Sequence, residues 1–371
     1  MSNVYFCDFK ASDFKDSKVE KIKRLFQKAG FAKFLNKDDL TAIKIHFGER
    51  GNDAYINPVF VRQVVDKIKE AGAKPFVTDT NTLYSGERHN SVDHLTVALE
   101  HGFNYTVINA PVIIADGLRS KNFRNVEIDL KHFKTAKIAA DIVDSDSMIV
   151  MSHVKGHPMA GFGGAVKNLA MGCAPAKGKE DQHSFRPTVD TQKCIACGKC
   201  IKVCPKEAIS YKSYGSSKKA FIDKNICIGC GQCVSECPVK AISIEDENDL
   251  SKFVERIAEY ALASVKGKEE KVGYINFLMN ITHDCDCFPF SDASIVPDIG
   301  ILASTDPIAI DMASVDLINQ QLGFEGTRLK DNHKPGCDKF AGLRPDNHGM
   351  VQINYGEEIG LGSKKYKLIK V

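Results

Sequence analysis

The sequence of 371 residues lacks any long apolar run: it is 43% hydrophobic and 26% charged, and its apolar stretches stop well short of the ~20 residues that span a bilayer. A membrane-embedded chain is excluded, and so is a disordered one. Charge of one sign is equally scarce. Lys and Arg number 50 against 47 Asp and Glu, a net +3 that is too even to point to nucleic acid or an anionic membrane as partner. The opening MSNVYFCDFKASDFK meets charge early and has no apolar segment of a secretory kind, so a cytoplasmic chain is expected. No GxGxxG follows a candidate strand, which removes the usual sign of a nicotinamide or flavin cofactor. Length is ample for two or three domains with a sizeable core.

What the sequence has in plenty is cysteine, 13 in all, and eight of them fall between Cys194 and Cys237. The runs Cys194-Ile-Ala-Cys197-Gly-Lys-Cys200-Ile-Lys-Val-Cys204-Pro205 and Cys227-Ile-Gly-Cys230-Gly-Gln-Cys233-Val-Ser-Glu-Cys237-Pro238 both have the bacterial ferredoxin spacing for [4Fe–4S] ligation. In that arrangement the first three cysteines of a run hold one cluster and the fourth serves the other. Cluster I then falls on Cys194, Cys197, Cys200 and Cys237, and cluster II on Cys227, Cys230, Cys233 and Cys204. Zinc ribbons prefer pairs to quartets, and disulfides do not suit a reducing compartment. Ala208-Ile-Ser and Ala241-Ile-Ser follow the two runs at matching offsets, an internal repeat. Residues 186–246 thus resemble the two-cluster bacterial ferredoxins, which implies single-electron transfer and a redox partner protein, either donor or acceptor.

The flanking segments, 1–185 and 247–371, alternate strand and helix patterns. LTAIKIHF (40–47) alternates, Pro58 to Ala71 sets Val61, Val64, Val65 and Ile68 on one helical face, and 75–79 is the next short strand. Further strands are expected near 112–115, 148–152, 272–278 and 299–303, with helices near 92–101, 250–265 and 307–321. The fold class is therefore α/β, a mostly parallel sheet body interrupted by an inserted α+β two-cluster ferredoxin-like domain.

Open α/β sheets bind ligands beyond the carboxyl ends of their strands. Those positions hold His46, Gly48 and Glu49; Asp79, Thr80 and Asn81; His153, Lys155 and His157; Asn280, His283, Asp284, Cys285 and Cys287; then Ser304 and Asp306. Each has a plain reading as a cap or loop polar group, but five such ends together predict one cleft. His46, His153 and His157 are its candidate proton carriers, and Asp79 a cofactor-binding group. In the stretch from His153 to Gly172, Gly161, Gly163 and Gly164 lead into a helix start, an arrangement that suits a phosphate or carboxylate. Lys167 and Lys155 would supply charge or a reactive amine there. His283-Asp-Cys285-Asp-Cys287 is a candidate third metal site, completed by His283, His333, Cys337 or a cleft histidine, or else a redox-active dithiol. Asp306, before Pro307, reads as a helix cap, with Asp311 one turn on.

HVKGH, AGFGGAVKNLAMG, THDCDC and DIGILASTDPIAID together resemble the domain of unknown function 362 family, in its branch with a ferredoxin insert, across most of the chain. Ala160-Gly-Phe-Gly-Gly164 with Lys167 is also similar to the glycine and lysine segment of nickel-dependent lactate racemases. The SGGRK wording of that segment is missing, so nickel is not carried over; the similarity implies only that the loop and Lys167 face a cofactor or anionic substrate. The expectation is an iron–sulfur oxidoreductase whose two clusters relay electrons to a substrate or cofactor in the cleft. A non-catalytic electron carrier and a metal-dependent isomerase or racemase with structural clusters are the alternatives.

Overall fold

The structure is a computed structural model that describes residues 1–183, 187–243 and 247–371. Its frame is an eight-stranded sheet of β1 (Ser2–Asp8), β2 (Leu40–Lys44), β3 (Lys74–Asp79), β4 (Val112–Ile114), β5 (Ser147–His153), β6 (Val272–Leu278), β7 (Gly300–Ser304) and β8 (Tyr366–Lys370). Their spatial order is β8-β1-β7-β6-β5-β2-β3-β4. All neighbours pair in parallel except at β7, which runs against both β1 and β6. The body is thus α/β with a mostly parallel sheet, and strands from both sides of the cysteine-rich segment enter it.

All seven residues of β5 are buried. Met148 and Val150 join one core and Ile149 and Met151 the other, as alternation across a pleated strand requires. The first core packs α3 (Ala165–Cys173), α4 (Glu247–Val265) and α5 (Pro307–Asn319) on one face; the second packs α1 (Lys18–Lys28) and α2 (Pro58–Glu70) on the other. Helix α2 starts as its sequence suggests: Asn57 Oδ1 accepts from Val59 N at 2.9 Å, Pro58 is its first residue, and Val61, Val64, Val65 and Ile68 are buried. Among the described residues no helix is long and apolar enough to cross a membrane.

The direction of β7 corrects one expectation. Its carboxyl end lies at the opposite rim of the sheet from those of β2, β3 and β5, beside the start of β1. Ser304 Oγ donates to Asn3 O at 2.8 Å, and Asp306 Oδ2 accepts from Ser2 Oγ at 2.7 Å and Ser363 N at 2.9 Å. Ser304 and Asp306 are therefore not cleft residues. Asp306 caps α5, accepting from Ile308 N and Ala309 N at 2.9 Å each.

Residues 187–243 build a separate small unit. Thr188–Val189 pairs antiparallel with Ile242–Ser243, Ile209–Tyr214 pairs with Ser217–Ile222, and two single-turn helices cover Lys199–Lys202 and Gln232–Ser235. Its backbone repeats itself at the interval from Cys194 to Cys227. Left-handed residues recur as Ala196 and Gly229 (φ 55° and 69°), Gly198 and Gly231 (76° and 78°), and Glu207 and Lys240 (52° and 50°). The domain limits expected near 185–186 and 246–247 fall at or beside residues 184–186 and 244–246, which lie outside the described residues.

Candidate functional site

Beyond the carboxyl ends of β2, β3 and β5 lies a cleft of about 340 Å³ that opens to solvent; His46, Asp79, His157, Lys167, Cys285 and Cys287 are among its lining residues. Part of its wall comes from the small unit, at Cys230, Gly231, Gln232 and Glu236. Cys194, Cys197, Cys200 and Cys237 line one pocket of the small unit. Burial pushes the Cys233 thiol up to about 12, and Cys230, Cys227, Cys200 and Cys204 add to the push. None of the thirteen cysteines forms a disulfide. Backbone amides point at four sulfurs: Ala208 N to Cys204 (3.2 Å), Ala241 N to Cys237 (3.1 Å), Ala220 N to Cys194 (3.5 Å) and Gly229 N to Cys227 (3.4 Å). Among the described residues no three His, Cys, Asp or Glu side chains converge as they would on a single ion. Thiols that each bind a different iron of a cubane do not need to converge in that way.

The cleft histidines divide by their hydrogen bonds. His46 Nδ1 accepts from Gly48 N at 3.0 Å, and His157 Nδ1 accepts from Met159 N and Ala160 N at 3.2 and 3.0 Å. Burial, with Arg88 for one and Lys167 for the other, holds both rings neutral. Each neutral ring therefore carries its proton on Nε2. His153 differs: Nδ1 meets Asp286 Oδ1 at 2.9 Å, and Nε2 meets Met279 O at 2.8 Å and Asn280 O at 3.1 Å. Both its nitrogens are engaged, so His153 holds the 279–286 loop against β5 and is not a free proton carrier. Lys155 is also tied down, to Asp286 Oδ2 at 3.0 Å and His153 O at 2.9 Å.

The glycine segment does not form an open anion cradle. The first amides of α3 are already taken, because Asp311 accepts from Ala165 N at 2.7 Å and Val166 N at 2.9 Å, and also from Asn276 Nδ2 at 2.8 Å. A Cβ on Gly164 would fall 2.4 Å from Asp311 Oδ1, and one on Gly161 (φ 74°) would meet Asn347 Oδ1 at 1.8 Å. These two glycines serve internal packing. Gly163 faces Lys167 and Lys155 side-chain carbons and lines the narrow end of the cleft. Gly164→Ala should push the carboxylate off the amides and cost about 1–3 kcal/mol, the price of leaving buried donors unmet. Chemical denaturation measures this, and an unchanged midpoint would refute the capping role.

Lys167, in the first turn of α3, stands 4.0 Å from Cys285 Sγ, and among the described residues no carboxylate forms an ion pair with it. The neighbouring Cys287 thiol pulls the Cys285 thiol down against burial, Lys167 and Lys155 add to the pull, and the Cys287 thiol is pushed up. Of the partners expected for a metal here, His283 pairs with Asp284 at 2.7 Å and His333 Nδ1 sits 3.4 Å from Gly323 O, while the cleft histidine His46 shares a lining with Cys285.

Sequence reasoning missed the charged floor of the cleft. Lys44 is fully buried in β2 and contacts Asp79 Oδ1 at 2.9 Å and Asn168 Oδ1 at 2.7 Å. Arg88 spans Glu49 Oε2 at 3.2 Å, Tyr84 OH at 2.6 Å and Asp79 Oδ2 at 3.5 Å. Burial opposes the charge on Asp79, yet Lys44, His46, His94 and Arg88 together hold its carboxyl below the ordinary range. Asp79 thus anchors cations of the floor. Lys179 donates to Thr80 Oγ1, Asn81 O and Ala174 O at 2.6, 2.7 and 2.6 Å, and burial brings it down to about 8. No spacing rule links these residues, since the turn after β3 that carries Tyr84 and Arg88 reads as a plain polar loop.

The fold and site define an α/β protein with a charged cleft at its strand ends and a cysteine-rich unit set against that cleft. A family model matches residues 41–316, and the chain belongs to this family, described as Domain of unknown function (DUF362). No curated protein matches. Among solved structures it is similar to the lactate racemase apoprotein from Thermoanaerobacterium thermosaccharolyticum, at 13% identity and a TM-score of 0.37, over 75% of this chain and 51% of that one. It is also similar to a protein from Thermotoga maritima, at 10% identity and a TM-score of 0.35, over 72% and 52%. The chain spans about half the length of each.

Proposed function

We propose that the protein is an iron–sulfur oxidoreductase whose residues 186–246 form a two-cluster ferredoxin-like domain inserted in the α/β body. Cys194, Cys197, Cys200 and Cys237 would hold one [4Fe–4S] cluster, and Cys204, Cys227, Cys230 and Cys233 the other. When bound, the clusters supply one-electron transfer. The observation that carries this reading is that a single cleft is lined both by Cys230 and by Lys167, His46, His157 and Cys285. In the cleft Lys167 binds an anionic small molecule, because its ammonium has no carboxylate partner among the described residues. His46 and His157 hold exchangeable protons on Nε2, while Met159, Met171 and Phe288 on the lining limit water. Cys197 and Ile195 are exposed, and Lys193 and Lys199 lie exposed beside them, so a redox partner protein with an acidic face suits that edge.

Anaerobic purification tests the reading. About eight iron and eight sulfide per chain are expected, and Lys167→Ala should weaken binding of anionic ligands to the cleft at least about tenfold, the effect of a lost charged hydrogen bond. Zinc in place of iron, or undiminished binding by the variant, would overturn it. A second reading, a proton-transferring isomerase with structural clusters, is favoured by the two neutral histidines on one cleft. Turnover that persists with the clusters held in either redox state would select it.

A further inference from the structure

The pair Cys285 and Cys287 lies on the loop that follows β6. Phe288 N donates to Cys285 O at 3.1 Å, so the chain turns at this point, with the two cysteines one residue apart in the turn. Both sulfurs belong to residues lining the cleft that Cys230 also lines. Cys285 is 4% exposed, with Lys167 Nζ at 4.0 Å from its sulfur. Among the described residues no third donor converges on the two. Two neighbouring thiols beside an ammonium that has no carboxylate partner are the components of a reversible disulfide.

We propose that Cys285 and Cys287 are a redox-active dithiol that converts single electrons delivered at the cleft wall into a two-electron store. This rests on the iron–sulfur reading for its electron source, one-electron carriers of the [4Fe–4S] class. In the oxidised state an S–S bond joins the two residues. Two electrons, delivered one at a time, break that bond; one proton goes to Cys287, and Cys285 is left as a thiolate facing Lys167. Reoxidation by a two-electron acceptor in the cleft re-forms the S–S bond and returns the proton. Tyr84, which donates from its hydroxyl to Cys287 O at 3.3 Å, and Asp286, held between His153 and Lys155, anchor the loop at Cys287 and between the two cysteines.

The test uses the holoprotein, treated anaerobically with oxidised dithiothreitol. Free thiols are blocked with iodoacetamide, then the protein is reduced and labelled with N-ethylmaleimide. Mass spectrometry of the peptide containing both residues should find the second label on Cys285 and Cys287 after oxidation, and the first label on both without it. In a photoreductive titration the oxidised wild type should take up two more electron equivalents than Cys287→Ser. The first label on both residues after oxidation, together with equal electron uptake, would overturn the dithiol while leaving the clusters intact. Absence of the clusters from iron analysis would remove the relay reading and leave the labelling result to decide the disulfide by itself. Labelling needs no variant, so a Cys287→Ser protein that fails to fold does not protect the proposal.

Discussion

Replacing Asp286 with alanine is expected to cost about 3–5 kcal/mol of stability, the range for removing one partner of a buried charge pair. Asp286 is 1% exposed and receives His153 Nδ1 at 2.9 Å and Lys155 Nζ at 3.0 Å, while its backbone oxygen accepts from Glu49 N at 2.9 Å. Without the carboxylate, the Lys155 ammonium is buried with only a carbonyl for partner. Asp286→Asn, which keeps an acceptor for His153, should lose less. Lys155→Met added to Asp286→Ala should restore much of the loss, because the stranded charge goes with it. The dependence on acidity has a fixed sign. Despite burial, His153 and Lys155 hold the Asp286 carboxyl well below its ordinary range, so its contribution is present above the unfolded value of about 4 and fades as the pH falls through the lower folded value. Urea denaturation from pH 7 downward should show wild type and Asp286→Ala converging at the acid end. A gap that stays constant, or a double variant no better than the single one, would refute this account.

The body was legible because its strands and helices carry local signals: alternation or unbroken apolar runs for the strands, and Asn57-Pro58 and Asp306-Pro307 for helix starts. Strand direction carries no such signal. The residues of β7 look like those of a parallel strand, a pattern that places Ser304 and Asp306 at the cleft rim, whereas the strand runs the other way. LTAIKIHF alternates, which suggests that Lys44 faces solvent, yet both faces of β2 are covered and Lys44 pairs with Asp79 inside. Asp311 is a similar case. Its place one turn after Pro307 fits a partner of the site as well as a surface acid; it reaches across to α3 and takes the amides that the glycine loop was expected to offer. The cysteine spacing could be read along the chain because both quartets are consecutive. The cleft floor could not, since Glu49, Asp79 and Arg88 meet only once β2 and β3 are side by side.

Stripping iron from the protein should open residues 187–243 and leave the eight-stranded body folded. The core of the small unit consists of Cys194, Cys200, Ile209, Ala220, Ile222, Cys233, Ala241 and Ile242. Three of those eight are cysteines, the rest are small or medium aliphatics, and no disulfide joins them. A unit of this size depends on staples, and under the proposed reading the staple is cluster ligation by these thiols. Anaerobic chelation should therefore abolish amide protection in the Ile209–Tyr214 and Ser217–Ile222 hairpin and admit trypsin at the exposed Lys212 and Lys218. Amides of β5 and β6, buried between two helical layers, should keep theirs. Cys233→Ser removes one ligand of cluster II, and iron should fall from about eight to about four per chain, with protection weakened most near Gln232–Ser235. Because Cys230 and Gln232 form part of the cleft wall, the same treatment should leave Lys167 and Cys285 more open to solvent. Lysine acylation and thiol alkylation at those two residues should then speed up by at least about tenfold, the effect of losing some 1.4 kcal/mol of local protection. Hairpin amides that remain protected after the iron has gone would mean that the unit folds without its metal.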